Sequence, residues 1–174
     1  MTASVPFVST ALDPATHHVD RFNCGETELS AWLQDHASTA ARARVAQTFV
    51  WLAGAEDRNV VGYYSLSAHA VNRMDAPSRI GRGVPGPVPA ALIAKLALHV
   101  SLHGQRLGDL LLVDALTRVI DASTSGPAVR AIVVDAATHH GRALYARFGF
   151  VAAPGRTDRM IIRAETIANG LSHS

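Results

Sequence analysis

Two stretches of this chain hold residues suited to chemistry. In His99-Val-Ser-Leu-His-Gly-Gln-Arg-Leu-Gly-Asp-Leu-Leu-Leu112, Gly104 and Gly108 sit where an apolar strand gives way to an amphipathic helix. Backbone N–H groups converge at such a junction, and the helix dipole there favours an anion. Read alone, the loop suits any phosphate, or simply a tight turn. The second stretch, Arg142-Ala-Leu-Tyr-Ala-Arg-Phe-Gly-Phe150, is a helix stopped by an aromatic-Gly-aromatic sequence. It carries Tyr145, a phenol of ordinary pKa ~10 that can give a proton to a departing thiolate. Half-buried packing is the other reading of that tyrosine. His99 could accept a proton, or serve only as a polar surface residue.

The elements that must position these groups follow from periodicity and turn signals. Val5 to Leu12 reads as a strand ended by Asp13-Pro14, and Glu26 to His36 as a helix with Leu29, Trp32 and Leu33 on one face. Ala37 to Ala46 predicts a second helix, and Gln47 to Ala53 with Val60 to Ala70 a hairpin. Asn72 to Pro89 reads as an irregular, exposed, cationic connection, a kind of long loop that more often has a function than not. Ala91 to His99 is the fourth strand, Leu107 to Ser123 a helix, and Val129 to Ala136 a buried strand. His140 to Phe148 forms a helix ended by Gly149, and Met160 to Arg163 a last strand. Residues 164–174 are a tail expected to start helical and then fray, with disorder at its end. This order predicts an α+β fold with a mixed sheet, in one domain spanning residues 1–174.

The composition narrows the classes. Of 174 residues 48% are hydrophobic, enough for a real core. Net charge is +2 and the pI about 9.1. Lys95 is the one lysine among sixteen basic residues. Arginine suits phosphate because its planar fork binds bidentately, although a GC-rich coding bias would give the same count without a function. Cys24 stands alone, which excludes an intramolecular disulfide. No apolar run reaches the ~18–20 residues of a membrane span, and no basic leader precedes an apolar core, so the cytoplasm is expected. His17-His18 and His139-His140 lack an accompanying carboxylate cluster, and no metal site is expected.

In this setting the chain resembles the GCN5-related N-acetyltransferase superfamily. That family's signature, Gln/Arg-x-x-Gly-x-Gly/Ala at the turn from strand four into the next helix, is met here by His103-Gly-Gln-Arg106-Leu-Gly108. His103 and Arg106 depart from it, and Arg106 must then adopt a backbone shape that favours glycine. More of the chain resembles the acetyltransferase toxins of type II toxin–antitoxin pairs. Phe22-Asn-Cys-Gly-Glu-Thr-Glu-Leu29-Ser-Ala-Trp32-Leu33, Thr48-Phe49-Val50, Val61-Gly-Tyr-Tyr-Ser65, Pro89, Leu96-Ala97 and Tyr145-Ala-Arg-Phe-Gly-Phe150 match that group in order.

The resemblance implies a mixed, mostly antiparallel sheet flanked by helices, with acetyl-CoA in a cleft beside strand four. It implies coenzyme contacts from Leu96, Ala97 and Leu98, from the loop His103, Gly104, Gln105, Arg106, Leu107, Gly108 and Asp109, and from Thr138 and Arg142, with Asp135 nearby. Tyr145 is the implied general acid. The implied acceptor is an aminoacyl-tRNA, whose phosphates would meet Arg42, Arg44, Arg73, Arg79 and Arg82. A DNA-binding antitoxin of ribbon-helix-helix type and a homodimer are further implications. No glutamate lies on the fourth strand as a base. An α-amino group, with a pKa of ~7.7–8.0 that esterification lowers, needs a base less than a lysine does at ~10.4. A small-molecule or protein acetyltransferase, or a non-catalytic coenzyme-binding co-repressor, remain alternatives at this point.

Overall fold

The computed structural model of the chain describes residues 6–136 and 138–173. Val5 and Ser174, expected at the ends of the first strand and the tail, lie outside the described residues. The strands are β1 (Val8–Ala11), β2 (Gln47–Leu52), β3 (Val60–Val71), β4 (Val88–Leu98), β5 (Ala131–Asp135), β6 (Val151–Ala152) and β7 (Arg159–Arg163). They form one 7-stranded sheet in the order β1-β2-β3-β4-β5-β7-β6. β4 and β5 run parallel, while β1–β2, β2–β3, β5–β7 and β6–β7 are antiparallel, giving the mixed sheet expected. The helices are α1 (Thr27–Asp35), α2 (Ala37–Arg42), α3 (Ser78–Gly81), α4 (Leu107–Ser125), α5 (His139–Arg147) and α6 (Ala164–Ser172).

Four departures from the sequence expectation have local causes. α2 ends at Arg42, not Ala46, because Arg44 takes a φ of 60° and the N–H of Val45 folds back to the Ala40 carbonyl. The connection after β3 is not wholly irregular. It forms a 3-10 turn, Arg73–Asp75, and α3, and it buries Ala76 and Ile80. β6 is only two residues long, too short for alternation to reveal. The tail expected to fray is helical through Ser172, with Ile167 buried on its inner face.

The chain divides into two compact units. One holds the described residues up to Leu66 together with Lys95–Asp114. Its core gathers Phe22, Leu33, Val50, Leu52 and Tyr63, with Trp32 stacked on Tyr63 at 6.1 Å. The Phe22-to-Leu33 stretch therefore builds this core, and Cys24 lies buried in it with its Sγ bonded to the Glu26 carbonyl. The other unit holds Ser67–Ala94 and the described residues from Ala115 on. Its core packs Ile80 and Val88 against Val133 and Ile161.

Candidate active site

The glycine loop grows out of the end of β4. The ladder of β4 with β5 covers Ala90 to Ile93. His99 N–H donates to the Val61 carbonyl on β3 at 2.9 Å, and bonding sides alternate along a strand. Leu96 and Leu98 therefore direct their N–H groups away from β3, past the last paired residue of the β5 ladder. Ala97 faces β3 instead, and its methyl joins the first unit's core.

His99 caps a 3-10 turn, Val100–Leu102, with Nδ1 accepting from Ser101 N–H at 3.1 Å. The neutral ring then carries its hydrogen on Nε2 and keeps no free lone pair, so His99 is a cap rather than a poised proton acceptor. His103 returns to β4, its Nε2 lying 2.9 Å from the Leu98 carbonyl. Gly104 has a φ of 79° and Arg106 a φ of 58°. Arg106 thus holds the left-handed shape at the position where the resembled signature has glycine. Such turns aim successive N–H groups to one side. Among the described residues nothing accepts from the N–H of Gly104, Gln105 or Arg106. Leu107 and Gly108 open α4, and the first N–H groups of a helix have no acceptor within it. A Cβ on Gly104 or Gly108 would meet open space. These features make an anion cradle.

α4 is anchored by a residue that spacing did not single out. Asp114 Oδ2 accepts from Ser9 Oγ at 2.6 Å, Tyr64 OH at 2.9 Å and Trp51 Nε1 at 3.2 Å. An acid directly before the buried Ala115 and Leu116 was the available signal. The three donors tie the first half of α4 to β1, β2 and β3.

Tyr145 belongs to the second unit. Thr138 caps α5, its Oγ1 accepting from Gly141 N–H at 3.0 Å, so its side chain serves the helix. Gly149 ends α5 with a φ of 96°, and the Phe150 N–H returns to the Tyr145 carbonyl. The Tyr145 ring is 4% exposed and packs on Phe150 at 5.7 Å. Burial first, and the charge of Asp135 second, raise its pKa well above the ordinary phenol value. Its hydroxyl makes no side-chain hydrogen bond among the described residues. A buried phenol that stays protonated and holds an unspent donor is suited to giving a proton or a hydrogen bond. Asp135 itself pairs with Arg159 Nε at 3.1 Å, and Arg159 Nη1 lies 3.0 Å from His69 Nε2.

The arginines sort by partner. Arg156, Arg159 and Arg163 pair with acids, and Arg130 donates to the carbonyls of Ile80 and Arg82. Arg44, Arg73, Arg79, Arg82, Arg106 and Arg142 have no side-chain partner among the described residues. Arg42 has only a long contact of 3.4 Å to Thr39 Oγ1. Arg73 and Arg82 line one open basin of about 590 Å³ with Met74, whereas Arg79 lines a different groove. Among the described residues no cluster of His, Cys, Asp and Glu is arranged for a metal, and no helix is long and apolar enough to cross a membrane.

Comparison with known proteins adds a relative. No protein-family model matches the chain. A tRNA-acetylating toxin of Mycobacterium tuberculosis (strain ATCC 25618 / H37Rv) is 36% identical over 136 residues, covering 78% of this chain and 80% of that protein. Among solved structures, AtaT complexed with acetyl-methionyl-tRNAfMet superposes with a TM-score of 0.85 at 23% identity, covering 95% of this chain and 99% of that one. A tyrosine-to-phenylalanine variant of the toxin AtaT, bound to the C-terminus of the antitoxin AtaR and acetyl-CoA, gives 0.82 at 21% identity, covering 97% and 99%. At these identities the two structures speak for the fold.

Proposed function

The chain belongs to the tRNA-acetylating toxins of the GCN5-related N-acetyltransferase superfamily, and on that premise we propose that it moves the acetyl group of acetyl-CoA onto the α-amine of an aminoacyl-tRNA, blocking translation. The backbone of Gly104 to Gly108 holds the pyrophosphate, with the Arg106 side chain as a cation on the same loop and Arg142 as a further cation for the coenzyme. The Leu96 and Leu98 N–H groups take the pantetheine amides and the developing oxyanion. The amine nitrogen attacks the thioester carbon, the carbon–sulfur bond breaks, and Tyr145 gives its proton to the departing sulfur. Water takes the amine's proton, and solvent returns one to the Tyr145 phenolate. With His99 engaged as a cap, the chain offers no base on β4, and an esterified amino acid needs none at neutral pH.

The observation that carries this reading is Tyr145, buried and protonated with its hydroxyl unspent, in a chain 36% identical to a tRNA-acetylating toxin. Arg42, Arg44, Arg73, Arg79 and Arg82 supply phosphate contacts to the tRNA. By the same reasoning a cognate antitoxin, of ribbon-helix-helix type, restrains the chain, which acts as a homodimer of single acetyltransferase domains. The supply of charged tRNA places its work in the cytoplasm.

The test is transfer of label from acetyl-CoA to a pool of charged tRNAs. Label in the aminoacyl fraction, and none on the same tRNAs after deacylation, is the expected result. No transfer to any charged tRNA overturns the reading.

A further inference from the structure

Arg79 on α3 and Arg82, the residue that ends it, line different surfaces. Arg82 joins Arg73 around the open basin, whereas Arg79 turns to a groove of about 260 Å³ whose far wall is the junction of β7 and α6. Arg163 lines that groove with Arg79, and Ile80, Val151 and Ile162 form its apolar floor. Arg163 is held by Glu165 at 3.1 Å, but the two side chains are 42% and 64% exposed. An ion pair so exposed is worth little and gives way to a stronger anion. Arg130 fixes the arrangement: its Nε donates to the Ile80 carbonyl at 2.6 Å and its Nη2 to the Arg82 carbonyl at 3.1 Å. Those bonds satisfy two carbonyls at the end of α3.

We propose that this groove is a second phosphate-binding face, in which Arg163 exchanges Glu165 for the tRNA backbone and acts beside Arg79. The proposal rests on the aminoacyl-tRNA reading above. Two guanidinium groups over an apolar floor act at a lower effective dielectric than two in open water, and each offers a phosphate a planar fork. A sugar–phosphate chain fits both parts, with phosphates at the rim and ribose carbons on the floor. An acidic peptide in the groove would engage Arg79 and Arg163 alone. A long polyanion also reaches Arg73 and Arg82 around the open basin, where neither has a carboxylate partner among the described residues.

The experiment is binding of bulk deacylated tRNA to the full chain over about 50–200 mM salt. Arg163→Gln is expected to flatten the plot of log affinity against log salt by about 0.7–0.9, one phosphate contact, with acetyl-CoA affinity and melting temperature as in the parent. Arg163→Lys should keep most of the slope, and Glu165→Gln should tighten binding about two- to fivefold by freeing Arg163. An unchanged slope in Arg163→Gln, beside a reduced slope in Arg79→Gln, overturns the second face and leaves the tRNA reading standing. Parent protein whose tRNA binding ignores salt sinks both. If Arg163→Gln binds tRNA normally but loses a co-purified antitoxin, the groove docks protein and the proposal fails.

Discussion

His103 folds its ring back onto the strand it follows, with Nε2 2.9 Å from the carbonyl oxygen of Leu98. A carbonyl only accepts, so Nε2 carries the hydrogen, and the bond pins the loop against the end of β4. His103→Ala should raise the KM for acetyl-CoA about 2- to 12-fold, the worth of ~0.5–1.5 kcal/mol for one such bond, with kcat little changed. His103→Gln, which keeps a donor, should recover most of the loss. Steady-state kinetics at saturating charged tRNA reads the difference.

Arg106 makes the opposite kind of departure, because its φ of 58° is strained for a residue with a Cβ. That strain costs about 1–2 kcal/mol, and the extra freedom of an unfolded glycine returns about 0.4–1 kcal/mol of it. Arg106→Gly should therefore stabilise the chain by about 0.5–1 kcal/mol in urea unfolding. Calorimetric titration should show weaker acetyl-CoA binding with less salt dependence, since the adjoining cation is gone. A loss of stability would mean that the arginine side chain supports the fold.

Tyr145→Phe keeps the buried ring and its packing on Phe150, and removes only the hydroxyl. Turnover should fall about 10²- to 10⁴-fold while acetyl-CoA affinity holds. Because burial and Asp135 both raise the phenol's pKa, the parent kcat should show no downward limb up to about pH 10. A limb near pH 8 that disappears in Tyr145→Phe would contradict the burial seen at this site.

Two histidines should make the fold sensitive to acid. Burial lowers the pKa of His17, whose Nδ1 accepts from Asp13 N–H, and burial followed by Arg159 lowers that of His69. The unfolded chain then binds protons more readily than the folded one. Their contribution is complete above the unfolded histidine value of ~6.5 and is lost as pH falls from there through the folded values. Urea midpoints should drop between pH 7.5 and pH 5, and less steeply in His17→Gln, provided that variant folds.

Arg79→Glu with Arg82→Glu should weaken tRNA acetylation strongly, because each reversal both removes and repels a phosphate. Acetyl-CoA affinity should stay at the parent value. Equal loss of both affinities would place the two arginines in the coenzyme site or the core.

Much of this protein is written locally. The apolar face of α4 repeats at helical spacing, Gly149 stops α5, and the alternating runs of β2 and β3 declare a hairpin. Tyr145 and the loop from His103 to Asp109 could be picked out because each depends on residues adjacent in the chain. Arg79, Arg82 and Arg163 show where that legibility ends. Arg79 and Arg82 are three apart yet face different surfaces, and Arg163 joins Arg79 from far along the chain.

The amino-acid sequence by itself determined most of the elements and their order, though not α3 or β6, together with the glycine-bearing cradle and the aromatic stop behind Tyr145, since periodicity, capping and turn chemistry act over a few residues. Tertiary structure alone decided that His99 is a cap without a free lone pair and that Asp114 gathers donors from three strands. It also decided which arginines are spent on acids and carbonyls and which remain open. The physical reason is the same throughout. A hydrogen bond or a charge is settled by whichever partner folding brings within about 3 Å, and spacing along a chain carries no record of that partner.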